Sequence, residues 1–174
     1  MTNPLHDFDM KALHATLDAE RRARHLSWIE LTAEINEPFA HSSSIPISVA
    51  TIRDMPNKRS VASAVILQIL RWLGRTPESF LSGPELALAP SEIVPDPGPS
   101  RILRFDTRAM HGALNAERVK RGMKWKQIAG ELPGFTEGML TNLANGPLIA
   151  FPGVMMITQW LGQPAANFVR GYKR

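Results

Sequence analysis

The chain has 174 residues, a formal net charge of +4 and no cysteine, which excludes a disulfide framework, a thiol nucleophile and a thiolate metal site. The opening MTNPLHDFDM lacks the basic-then-apolar order of a signal peptide. The longest apolar stretch, around Val61–Leu73, is broken by Ser63, Gln68 and Arg71 and is too short and polar to span a bilayer, so a cytoplasmic protein with no membrane partner is expected.

The first expected helix begins at Asp9, an N-cap flanked by Phe8 and Leu13 as a hydrophobic staple, with Leu17 and Leu26 continuing its apolar side. Ser27 and Glu30 form a capping box that opens a second helix running to about Ile35. Ser48 caps a third, about Val49–Met55. Ser60 is expected to open a fourth, with Val61, Val65, Ile69 and Trp72 on one face. Gly74 stops it, and Thr76-Pro77-Glu78 starts a short fifth. Pro84, Pro90, Pro95, Pro97 and Pro99 then punctuate residues 83–103. Proline fixes φ and removes a donor, so this stretch reads as an extended, semi-stiff linker.

After the linker the pattern starts again. Phe8, Asp9, His14, Leu17, Glu20, Arg21 and Trp28 recur as Phe105, Asp106, His111, Leu114, Glu117, Arg118 and Trp125, at a constant offset of 97. Ile69, Trp72, Leu73, Gly74 and Phe80 recur as Ile157, Trp160, Leu161, Gly162 and Phe168, at an offset of 88. A repeat this long is a duplicated domain and not a solenoid unit. The expected organisation is a unit over 1–82, the linker over 83–103 and a second unit over 104–174. The fold class is all-α, since no segment has a convincing strand pattern. Residues 1–82 carry nine basic and nine acidic side chains, whereas residues 104–174 carry ten and four. A basic unit suits a polyanionic partner or simply a solvated surface.

The second copy resembles the Cro/repressor-type (XRE-like) helix-turn-helix family. The stretch LNAERVKRGMKWKQIAGELPGFTEGMLTNLANG carries Arg118 four residues before Gly122, a polar–aromatic start to its second helix and the small Ala129 within that helix. A glycine-containing turn follows, then the cap Thr136, inward Leu140 and Leu143, and a closing Asn145-Gly146. The resemblance covers about 105–170 and passes to about 8–82 through the duplication. It implies two tandem five-helix lambda-repressor-like domains. The family often pairs the first-helix arginine with an acid after the third helix. Pro56 and Ala144 stand there, so Arg21 and Arg118 are expected to lack that partner.

In this family the second helix of the motif enters the major groove while flanking groups hold phosphates. The resemblance therefore implies base contacts from Glu137, Gly138 and Asn142. It implies phosphate contacts from Arg118, Lys124, Lys126, Thr136 and Asn145. The matching positions in the first copy, Val49, Ala50 and Asp54, offer two groups that cannot hydrogen-bond and one that repels phosphate. Lys124 replaces the capping Ser27, a local loss of the kind that often marks function. His14 and His111 recur without a second ligand at metal spacing. Arg170, Lys173 and Arg174 read equally as a phosphate-gripping arm or a frayed end.

The expected function is a sequence-specific, DNA-binding transcriptional regulator of bacterial or phage type, located with the nucleoid. The second copy would contact double-stranded DNA and the first would serve docking or dimerisation. The poor reading face of the first copy favours a homodimer over a covalent pair of reading heads. The rival is a protein-interaction module made of two degenerate helix-turn-helix folds. An enzyme is not expected: the sequence has no glycine-rich phosphate loop, no nucleophile with a plausible base and no metal or cofactor constellation.

Overall fold

A computed structural model gives the fold and describes residues 5–41, 44–58, 60–82, 91–96, 98–145 and 149–172. Among these residues the protein is mostly helical. The first copy holds α1 (Met10–Ala23), α2 (Trp28–Asn36), α3 (Val49–Arg53) and α4 (Ser63–Leu73), closed by a 3-10 turn over Pro77–Phe80. The second holds α5 (Thr107–Arg121), α6 (Trp125–Glu131), α7 (Glu137–Thr141) and α8 (Phe151–Leu161), closed by a 3-10 turn over Ala165–Phe168.

Local chemistry sets most boundaries. Asp9 accepts from the Ala12 N–H at 2.9 Å, and Asp106 accepts from Ala109 at the same distance. Ser27 and Glu30 complete the capping box in both directions. Ser48 and Thr136 cap α3 and α7 through Thr51 N–H and Met139 N–H. Gly74 and Gly162 end α4 and α8 with φ of +64° and +69°, a conformation that costs glycine least.

Three boundaries differ from the sequence reading. Helix α4 starts at Ser63 with Ala62 as an N-cap that makes no side-chain bond, so Ser60 opens nothing. Helices α3 and α7 stop at Arg53 and Thr141, because Asp54 and Asn142 leave helical geometry and the chain tightens into 3-10 turns. The expected fifth helix is in each copy one 3-10 turn of four residues. The closing Gly146, the Lys173 and Arg174 of the tail, and residues 83–90 and Pro97 of the linker lie outside the described residues.

The all-α expectation needs correction. Ile102–Phe105 (β1) and Val169–Tyr172 (β2) form an antiparallel pair in the register Ile102↔Tyr172, Leu103↔Gly171, Arg104↔Arg170 and Phe105↔Val169. Residues 102 and 103, read as linker, thus supply half of a strand. The pairing is part of the duplication, because the first copy keeps a single bridge, Phe8↔Leu81, at the equivalent positions. In both copies the N-capping aspartate donates its N–H to the last carbonyl of the 3-10 turn, Asp9 to Phe80 and Asp106 to Phe168. Neither four-residue run alternates, since ILRF opens with two apolar residues and VRGY has a glycine at its third place, so neither carries the period of a half-buried strand.

The two copies clasp each other. The Gln68 amide, on α4, donates to the Leu103 carbonyl and accepts the Leu103 N–H. Gln159, on α8, makes the same pair of bonds to the backbone of His6. Each fourth helix thus holds the extended segment ahead of the other copy's first helix. Glu78 in the first 3-10 turn accepts the N–H of Ala165 in the second. The core follows this exchange. One buried cluster joins Leu13, Leu17, Ile52, Ile66 and Phe80 to Leu103, Phe151, Met155 and Val169 of the second copy. The other is built around Met110, Leu114, Leu140, Ile157 and Trp160.

The linker's second half is tied down. Val94 enters the first cluster. Arg71 pairs with Asp96 and donates to the Arg101 and Gly98 carbonyls, and Ser100 N–H donates to the Pro38 carbonyl.

Candidate nucleic-acid interface

The second copy's α6, turn and α7 are built from the inside outward. Ile128, Leu132, Leu140 and Leu143 are fully buried, and Phe135 closes the turn between the helices. Gly134, at φ +81°, lets the chain reverse there. This packing turns Glu137, Gly138, Thr141 and Asn142 outward, and all four are exposed. Glu137 and Gly138 lie in the first turn of α7. Asn142 is its C-cap, just past the last helical residue, with φ −96° and ψ 5°.

The phosphate candidates fall into three groups. Lys124 and Lys126 are exposed, and no ion pair joins either to a described residue. Lys124 occupies the N-cap of α6 with extended geometry. A lysine cannot accept a hydrogen bond, so only half of a capping box forms, through Gln127 Oε1 and the Lys124 N–H at 2.7 Å. Thr136 and Asn145 are exposed at the two ends of the α7 region, and the Thr136 hydroxyl is already used as its cap.

Arg118 forms the third group, because the fold itself uses it. Its Nε and Nη2 donate to Asn115 Oδ1 and its Nη1 donates to the Met123 carbonyl. The guanidinium also lies 5.3 Å from the centre of the Trp125 ring. Arg21 repeats the device with Asp18, the Leu26 carbonyl and Trp28. Among the described residues neither arginine pairs with an acid after the third helix; each instead binds a polar side chain three residues earlier, a spacing already visible in the sequence. The recurring histidines complete the motif, with His14 stacked on Trp28 and His111 on Trp125 at 5.4 and 5.2 Å. Among the described residues no cluster of three or more His, Cys, Asp or Glu could hold a metal ion.

The first copy presents a different surface. At the positions of Lys124 and Lys126 it has the capping Ser27 and Ile29, which is 70 % exposed. Its Asp54 is held in a two-pronged pair by Arg53, which keeps that carboxyl below the ordinary aspartate range.

Arg170 is not part of a frayed end, because it lies in β2 directly across from Arg104. The sequence signal for this pairing was weak: one basic residue in each of two short apolar runs, with no local link between them. No protein-family model matches this chain, nor does any curated protein or solved structure. Among the described residues no helix is long and apolar enough to cross a membrane.

Proposed function

We propose that this protein is a sequence-specific, DNA-binding transcriptional regulator built from two tandem helix-turn-helix units, with the second copy making the contacts. The observation that carries this reading is a contrast between the copies. Where the first has a cap and an apolar side chain, the second has Lys124 and Lys126, both exposed, as are Glu137, Gly138 and Asn142. The excess of ten basic over four acidic residues in 104–174 acts in the same direction. Asn142 would read adenine and Glu137 would accept from cytosine N4. The lysines would hold phosphates, which carry no sequence identity. One such unit reads few base pairs, so tight binding calls for two chains on a near-palindrome with half-sites about 34 Å apart.

One feature favours the rival, a protein-interaction module. Helix α7 has five residues and carries the apolar Met139 at 42 % exposure, next to a hollow lined by Pro133, Phe135, Leu143 and Ile149.

Selection of sites from random duplex DNA with the full chain separates the two. A regulator yields a motif, and its binding falls steeply with salt, log K against log salt dropping by about 0.9 per neutralised phosphate. Asn142→Ala should then cost ~1–3 kcal/mol on the selected site and relax preference at one or two base pairs. Lys124→Ser should weaken all duplexes alike and reduce the salt slope by about 1. No enriched motif together with a flat salt response would leave the interaction module as the better reading.

A further inference from the structure

The two-stranded sheet carries a feature that its own stability does not explain. Gln68 takes both the N–H and the C=O of Leu103. Those groups therefore point away from β2, which makes Arg104↔Arg170 a hydrogen-bonded pair with its Cα atoms ~5.5 Å apart. Their side chains leave the same face of the sheet, and both are exposed. Like charges directly opposite one another destabilise a sheet. Neither strand contains an acidic residue. Glu92 lines the same groove as Arg170, but the two form no ion pair.

The two arginines are prepared differently. The Arg170 Nη1 donates to the Asn167 and Val169 carbonyls, which fixes the guanidinium at the end of the 3-10 turn, and among the described residues its Nε and Nη2 have no partner. Among the described residues the Arg104 side chain has no hydrogen-bond or ion-pair partner. Two residues beyond Arg170, on the same face, stands Tyr172, 37 % exposed.

We propose that Arg104 and Arg170 form an anion site that grips a backbone phosphate of a nucleic acid. Two arginines leaving one face of the sheet at paired positions could both turn to the oxygens of one phosphate, which would replace their mutual repulsion with charge-assisted hydrogen bonds. The neighbouring Tyr172 offers a ring to a sugar or base, the usual companion of arginines along a nucleic-acid strand. The choice of nucleic acid over free phosphate leans on the DNA reading above, and the site itself does not depend on α7.

The test uses the full chain and three variants: Arg104→Glu, Arg104→Lys and, as a control with the same charge change in the other copy, Lys11→Glu. Duplex DNA and oligo(dT) binding are followed against salt, and thermal melts are run with and without inorganic phosphate. Arg104→Glu should melt higher than wild type without ligand, since an opposite-charge pair replaces a like-charge one. It should also bind both nucleic acids more weakly, with a salt slope shallower by about 0.9 on the duplex and about 0.7 on oligo(dT) for each phosphate lost. Arg104→Lys should fall between the two, and Lys11→Glu should keep the wild-type slope. An unchanged slope in Arg104→Glu, or an equal loss in Lys11→Glu, overturns the proposal. A response to inorganic phosphate with no change in nucleic-acid binding overturns the nucleic-acid occupant. Arg104→Glu should lower affinity for all sequences and keep their ranking, whereas failure of the α7 reading appears as an unchanged ranking in Asn142→Ala.

Discussion

Replacing Gln68 with methionine, the residue that the second copy carries at the equivalent Met156, tests the clasp between the copies. Gln68 is 1 % exposed and Leu103 is fully buried, so no water can take over when the amide is removed. Both backbone groups of Leu103 would lose their partners. Each buried unsatisfied group costs ~1–3 kcal/mol, about 2–6 kcal/mol for the two. The methionine would recover ~1 kcal/mol through its apolar surface, and small relaxations would recover more, leaving a net loss of about 2–4 kcal/mol. Gln159→Met breaks the reciprocal pair to His6, but that site is only partly buried. Water can replace the amide there, and the expected cost is about 1 kcal/mol. Urea unfolding of both full-length variants measures the difference, and amide exchange at Leu103 reports it locally. If Gln68→Met costs no more than Gln159→Met, or Leu103 stays fully protected, the clasp is not what secures β1.

Three further outcomes follow from the same structure. Burial raises the Glu78 carboxyl above its ordinary value of 4.5, with bonds from the Ala165 and Glu92 N–H groups acting against it. The folded state therefore keeps that proton longer than the unfolded state does. Relative to Glu78→Gln, the wild type should lose stability as pH rises from about 4.5 through the raised value, and a constant difference across that window in pH-dependent unfolding would contradict this. Lys124→Ser should complete the half-formed box with Gln127 and add ~1 kcal/mol, seen as a melting point higher by about 2–4 °C. A fragment of residues 104–174 lacks Gln68, Arg71, Phe8 and Phe80 and uncovers Phe151, Met155 and Val169, so calorimetry should show it melting lower and less cooperatively than the whole chain; equal melting would mean that the shared cluster contributes little.

The helices were legible because their causes are local. Asp9, Ser27, Ser48, Thr136, Gly74 and Gly162 act on backbone groups within a few residues, so each leaves its mark in a short window. The duplication made the reading firmer, since a cap seen at Asp9 could be checked at Asp106. The partners of Arg21 and Arg118 were within reach too, at Asp18 and Asn115 three residues before. Sequence also singled out Lys124, because a lysine where its twin has a serine is a local anomaly. The sheet and the clasp could not be read this way. Residues 102–105 meet residues 169–172 across the whole second copy, and Gln68 meets Leu103 only after α4 has packed. Nothing near Gln68 in the chain marks it as the cover for a strand edge, and nothing near Arg104 announces Arg170. Those pairings are long-range and leave no period in the sequence, and only the packing of two copies around a shared cluster brings them together.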